Sequence, residues 1–178
     1  MTYYGGKELA ASFRTVRKNT MQVASDIPDD QYGFAAAEGV RTVAQMLVHV
    51  ALAPRLFWAS MHQERRADVT GFDFFGAIGQ IQAAEAQSRT KAEILDLLTR
   101  EGEAFATFLE SMSEDDLAAA VTMPTGAAPV VKHRFELLLG AKEHEMHHRA
   151  QLMLVERLLG IVPHATRQMK AMMEGAKK

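Results

Sequence analysis

The stretch Leu137-Leu-Leu-Gly-Ala-Lys-Glu-His-Glu-Met-His-His-Arg-Ala-Gln-Leu-Met-Leu-Val-Glu-Arg-Leu-Leu159 repeats its apolar side chains in steps of three and four. On a helix turning about 100° per residue, Leu137, Ala141, His144, His148, Leu152, Val155 and Leu159 share one line, which is where a core-facing stripe belongs. The segment therefore predicts a long helix over about 132–160. Gly160-Ile-Val-Pro163 supplies the stop, with a glycine for the cap and a proline that cannot continue the helix. At 1.5 Å per residue such a helix is roughly 40 Å long, the span of a whole bundle.

Two members of that stripe are histidines. Residues four apart on a helix bring their Cβ atoms to about 5–6 Å, so His144 and His148 are able to share one ion. His147 falls roughly 80° or more from the stripe's centre and is set apart. A buried histidine is most simply read as one hydrogen-bonded to its neighbours. Two stacked in register within an apolar stripe need a common partner, and a metal ion satisfies both. A third ligand must come from another helix. His49 is the candidate, because it follows Thr42, Met46 and His49 toward Ala53 along an apolar edge, whereas His62, His133 and His164 fall near helix ends or loops. Three neutral imidazoles without thiolate or carboxylate suit zinc, nickel or another first-row ion, with positions left for water or a substrate.

The same residues spell His144-Glu145-x-x-His148, the pattern in which zinc proteases place two ligands and a general base. The extended form fails, because Gln151 and Leu154 occupy the places of the glycine and third histidine. Glu174, in a short polar tail, is the sole remote candidate for a further acidic ligand. Almost no strand is offered to align a peptide. A bundle reading instead makes Glu145 a group behind the ligands or a surface residue.

Moving outward, three more helices are expected. The first covers about 7–25 on Leu9, Phe13, Val16, Met21 and Val23, and ends before Ile27-Pro28-Asp29-Asp30. Thr42-Val-Ala-Gln45 is a capping box that opens a second helix running to about Glu64, apolar nearly all round from Val43 to Trp58. Thr90-x-x-Glu93 opens a third, continuing to about Met112. Between the second and third, Gly71, Phe72, Phe74, Phe75, Gly76 and Gly79 mark a packed crossover, with a short helix through Ile81 and Ala86. Residues 113–131, with Pro124-Thr-Gly126 and Pro129, predict a structured loop or a hairpin, with short β-prone pieces at Val121-Thr-Met and Val130-Val. Met169, Met172 and Met173 fit a short amphipathic helix at the end, able to pack on the bundle or on a partner subunit. The 11 methionines otherwise read as flexible core fillers.

Composition narrows the class. With 178 residues and 48% apolar content, one domain over 1–178 is expected. Twenty basic residues against 22 acidic ones, without a basic patch, argue against nucleic acid. No apolar run reaches the ~20 residues of a membrane span, and the N-terminus lacks the pattern of a signal peptide, so a cytoplasmic location is expected. Without cysteine, neither a disulfide nor a thiolate ligand is available, and any soft nucleophile comes from a substrate.

The passage Phe34-Ala-Ala-Ala-Glu-Gly-Val-Arg-Thr-Val-Ala-Gln-Met-Leu-Val-His49, taken with His144-Glu-Met-His-His-Arg-Ala-Gln-Leu152, resembles the DinB/YfiT-like family of bacterial four-helix metalloproteins. That resemblance covers nearly the whole chain. It implies an all-α, up-down-down-up four-helix bundle, a homodimer, and a metal held by one histidine of the second helix and a His-x-x-x-His pair of the fourth. Those positions match His49, His144 and His148. Relatives of the family include thiol-dependent transferases and a thiol-dependent isomerase. The resemblance thus implies a small-molecule enzyme of the thiol S-transferase type, with a divalent ion and a low-molecular-weight thiol. A non-catalytic, stress-associated metal-binding bundle is the alternative. Phe57, Trp58 and the Phe72–Phe75 segment are candidates for an apolar wall beside the site.

Overall fold

A computed structural model describes residues 4–176. Helix α1, Gly6–Asp26, buries Leu9, Phe13, Val16 and Val23 and is capped where the Gly5 N–H donates to Glu8 Oε2 at 2.9 Å. Helix α2 occupies residues 43–62. Its capping box is closed by Thr42 and Gln45, each accepting from the other's N–H at 3.2 and 2.9 Å. The crossover carries α3, Phe74–Glu85, and α4 follows over Lys91–Glu110 behind the Thr90–Glu93 box. A short α5, Glu114–Ala118, leads into strands β1, Ala120–Thr122, and β2, Val131–His133, paired antiparallel with Val121 opposite Lys132. Helix α6 spans Arg134–Leu158 and α7 spans His164–Gly175.

Contacts at the two ends set the directions. Gly6 lies against the carbonyls of Leu109 and Met112, so close that a Cβ would come within 2.5 Å of the Leu109 oxygen, while Lys91 Nζ reaches Ser25 and Ile27 at the other end. Helices α1 and α4 are therefore antiparallel. Tyr4 packs on Phe135 and Lys142 reaches Ser12, so α6 runs with α1. Trp58 lies beside Gly140 while His49 meets His144 and His148, so α2 runs against α6. The result is an up-down-down-up four-helix bundle. Among the described residues, no helix is long and apolar enough to cross a membrane.

Helix α2 is not the uniform rod its hydropathy suggests. Its α-helical part, Val43–Ala53, gives way to a π-helical stretch, Pro54–Ala59, and ends in one α turn, Ser60–His62. Pro54 has no N–H, so the carbonyl of Val50 loses its partner four residues on. Arg17 replaces it: Nη2 donates to Val50 O at 2.9 Å and Nη1 to Leu98 O at 2.6 Å.

The apolar interior falls into two clusters. One gathers Val23, Ile27, Leu47, Ala51, Ile94, Leu98 and Leu152; the other Leu9, Phe13, Phe105, Leu109, Leu138 and Ala141. Arg17 and Glu145 stand between them along α1 and α6, buried and doubly bonded: Arg17 Nε and Nη2 each meet a Glu145 oxygen at 2.9 Å. Gly102 makes the room, because a Cβ there would lie 2.9 Å from Arg17 Nη1.

The core line of α6 differs from the apolar stripe by about one position. The buried residues are Arg134, Leu138, Ala141, Glu145, His148, Leu152 and Glu156, in steps of three and four. His144 lies on the flank of that line, half-buried, and His147 is exposed. Two glutamates, which hydropathy assigns to the surface, occupy the deepest positions.

Candidate metal centre

Helix α2 presents His49 and α6 presents His144 and His148 to one point. Their nearest ring nitrogens all lie within 4.8 Å of one another. His144 Nε2 stands 3.0 Å from His49 Nε2 and 3.1 Å from His148 Nε2, separations that two nitrogens about 2.1 Å from a shared ion would show. The outer nitrogens are held separately. Glu85 Oε1 takes the Nδ1 proton of His49 at 2.8 Å, and Gln151 Oε1 takes that of His148 at 2.8 Å. His144 Nδ1 is buried with no partner among the described residues, and Trp58 packs on that ring at 5.1 Å between centroids.

These outer bonds fix the tautomers. With the proton on Nδ1, Nε2 of His49 and of His148 carries a lone pair, and both lone pairs point toward His144 Nε2. One imidazole N–H is unable to satisfy both with good geometry. A cation accepts all three at once, so the donor set fits a divalent ion. Burial pushes His144 down to about 3 and His148 to about 4, with neighbouring imidazoles and Arg41 adding to the effect; burial and Arg41 also lower His49, against the pull of Glu85. All three are thus neutral at pH 7, the form in which imidazole ligates a metal.

Three residues of this site carry no ligand-supporting role in the sequence analysis. Glu85, at the end of α3, supports His49; Arg41 donates from Nε to the other Glu85 oxygen at 2.8 Å; Gln151 supports His148. Gln151 was legible as a neighbour one turn from His148, whereas nothing in the crossover's periodicity marks Glu85. The exposed His147 joins through Gln151, whose Nε2 lies 3.1 Å from His147 Nε2. That contact orients the amide so that its oxygen faces His148.

Glu145 is neither at the surface nor aimed at the histidines. It is 0% exposed and both its oxygens are taken by Arg17, which leaves it unfit for the general-base role of the His-Glu-x-x-His pattern. Of the predicted aromatic wall, Phe57 packs edge-on against Trp58, Phe72 and Phe74, while Phe75 is exposed. A cavity of about 310 Å³ between the end of α2 and the crossover, lined by Leu56, Ser60, Arg66 and Phe72, does not include the histidines.

Solved structures share the architecture. YfiT from Bacillus subtilis, described as a probable metal-dependent hydrolase with an unusual four-helix bundle topology, is similar with a TM-score of 0.68 at 15% identity, over 90% of this chain and 91% of that one. The DinB-like protein YjoA from Bacillus subtilis gives 0.63 at 21% identity, over 86% and 92%. A mycothiol-dependent maleylpyruvate isomerase gives 0.63 at 17% identity, over 85% of this chain but 63% of its own length. No curated protein matches the sequence. The model of the DinB superfamily matches residues 12–152, which contain all three histidines and the residues that brace them, and the chain belongs to the DinB superfamily.

Proposed function

We propose that the chain is a divalent-metal-dependent enzyme acting on small molecules, with His49, His144 and His148 as the ligands and chemistry of the thiol S-transferase type. The observation that carries this reading is the convergence of three Nε2 atoms, two of them committed as lone pairs by Glu85 and Gln151. Zinc or nickel suits such a nitrogen set. When bound, the ion supplies Lewis acidity that lowers the pKa of a thiol or water held next to it.

The chain's own residues bind and shape. Glu85 and Gln151 hold the imidazole planes, and Trp58 covers one side of His144. The protein has no cysteine, so a thiol nucleophile is carried in by a small molecule. The mycothiol dependence of the similar isomerase supports that choice. Hydrolysis is the second reading, favoured by the description of YfiT. It would have to proceed without Glu145 as base, since Arg17 occupies that carboxylate.

Metal analysis of protein purified without an affinity tag tests the site. About one ion per chain is expected, and His148→Ala should abolish it; full occupancy in that variant overturns the assignment. Calorimetry of the loaded protein then separates the chemistries, because thiol binding supports transfer, whereas hydrolase activity without thiol binding supports the second reading. We further propose a homodimer, supported by Leu154, Leu158, Met169, Met172 and Met173, which are exposed on α6 and α7. Sedimentation as a strict monomer would remove it.

A further inference from the structure

Arg41 immediately precedes the cap of α2 and, among the described residues, uses one of its three guanidinium nitrogens. Nε donates to Glu85 Oε2 at 2.8 Å, and the same carboxylate takes the His49 Nδ1 proton, so the guanidinium is two hydrogen bonds from a proposed ligand. Among the described residues no partner is found for Nη1 or Nη2, and the side chain is 34% exposed. The outer edge therefore offers four N–H groups in the fork that matches a carboxylate.

Charge gives this edge a purpose. Among the described residues, Glu85 is the one acidic group hydrogen-bonded to any of the three histidines, through His49, and it is shared with Arg41. Three neutral imidazoles add nothing to offset a divalent ion. Two positive charges from the ion and one from Arg41 then face a single negative charge, and a half-buried site holding that excess attracts an anion. A surface arginine paired with a glutamate would be ordinary elsewhere; here its charge reaches all three imidazoles. Arg55 is paired with Glu101, and Arg89 donates to the carbonyls of Ala84 and Gln87. A single free guanidinium edge suits a monoanion better than a phosphate dianion.

We infer that Arg41 is the anion-binding residue of this site and that the small molecule received there carries a carboxylate. This rests on the proposed metal centre for its charge excess. The carboxylate belongs either to the thiol or to a second substrate.

Wild type and Arg41→Met, each metal-free and zinc-loaded, are titrated calorimetrically with 3-mercaptopropionate, its neutral amide and propionate, with zinc stoichiometry measured alongside. The loaded wild type should prefer the mercapto acid over its amide by about tenfold or more, the range of one charge-assisted hydrogen bond. Arg41→Met should lose that preference while keeping its zinc and its affinity for the amide. Propionate binding with the same dependence on Arg41 assigns the carboxylate to a substrate without a thiol; binding of the mercapto acid alone assigns it to the thiol. An unchanged preference in Arg41→Met overturns the inference, as does loss of zinc in that variant, which would make Arg41 only a support for Glu85. If wild type takes up no zinc, the metal reading fails by itself, and the acid-to-amide comparison on the metal-free protein decides Arg41 independently, no preference there overturning it.

Discussion

His49 and His148 act through their second nitrogens as much as their first. Each Nδ1 proton is received by an oxygen from a different place in the fold: Glu85 at the end of the crossover helix, and Gln151 one turn along α6. Such outer partners fix ring orientation and raise ligand basicity, and removing one commonly lowers metal affinity about 10–100-fold. Glu85→Ala and Gln151→Ala should each weaken zinc by a factor in that range while leaving a stoichiometric site. Competition against a chromophoric chelator measures it, and wild-type affinity in both variants would show that the histidines need no bracing. The sequence made the histidines legible because they share helical registers. Glu85 was hidden because it lies 36 positions from His49, in a segment whose glycines and phenylalanines obscure any period.

At the scale of the helix, hydropathy found α6 and its length but missed which residues lie deepest. The apolar stripe ran through His144, whereas the buried line runs through Glu145 and Glu156. A carboxylate counts as surface in any hydropathy reading, and only a partner from another helix reverses that. For Glu145 the partner is Arg17, itself anchored to the carbonyl that Pro54 leaves open in α2. Pro54 was visible in the sequence, yet the all-round apolarity of the helix concealed the π-helical stretch that begins there. Arg17→Met should cost about 3–5 kcal/mol, since it strands a buried carboxylate and leaves the Val50 carbonyl unmet. Arg17→Met combined with Glu145→Met removes the stranded charge and should recover much of that loss. Urea denaturation of both variants tests the coupling; equal destabilisation in the single and double variants would mean that the ion pair contributes only through packing.

At the scale of the molecule, two titratable groups that find no hydrogen-bond partner among the described residues sit at opposite ends of the bundle. His62, at the end of α2, is 0% exposed, with both ring nitrogens unpartnered, and burial followed by the nearby Arg134 charge lowers it to about 4. Glu156, toward the end of α6, is equally buried and unpartnered, and burial, aided by Asp26, raises it to about 7 against the opposing charges of Arg167 and Arg157. The signs are opposite. Between about pH 4 and 6.5 the unfolded chain binds a proton at His62 that the folded chain refuses, so this group makes stability fall as pH falls. Between about pH 4.5 and 7 the folded chain keeps a proton at Glu156 that the unfolded chain has released, so this group makes stability fall as pH rises. Each full excursion amounts to roughly 3 kcal/mol, and over pH 4.5–6.5 the two slopes oppose one another. Replacing His62 with Leu should therefore make the stability–pH slope more negative than wild type across that window. Replacing Glu156 with Leu should make it more positive, because it removes the loss that Glu156 contributes between about pH 4.5 and 7. Unfolding free energies measured by denaturant at pH 4.5, 5.5, 6.5 and 8 read both slopes on one axis. Parallel curves for either variant and wild type would show that the replaced group finds a partner in the folded state and titrates as it does in water.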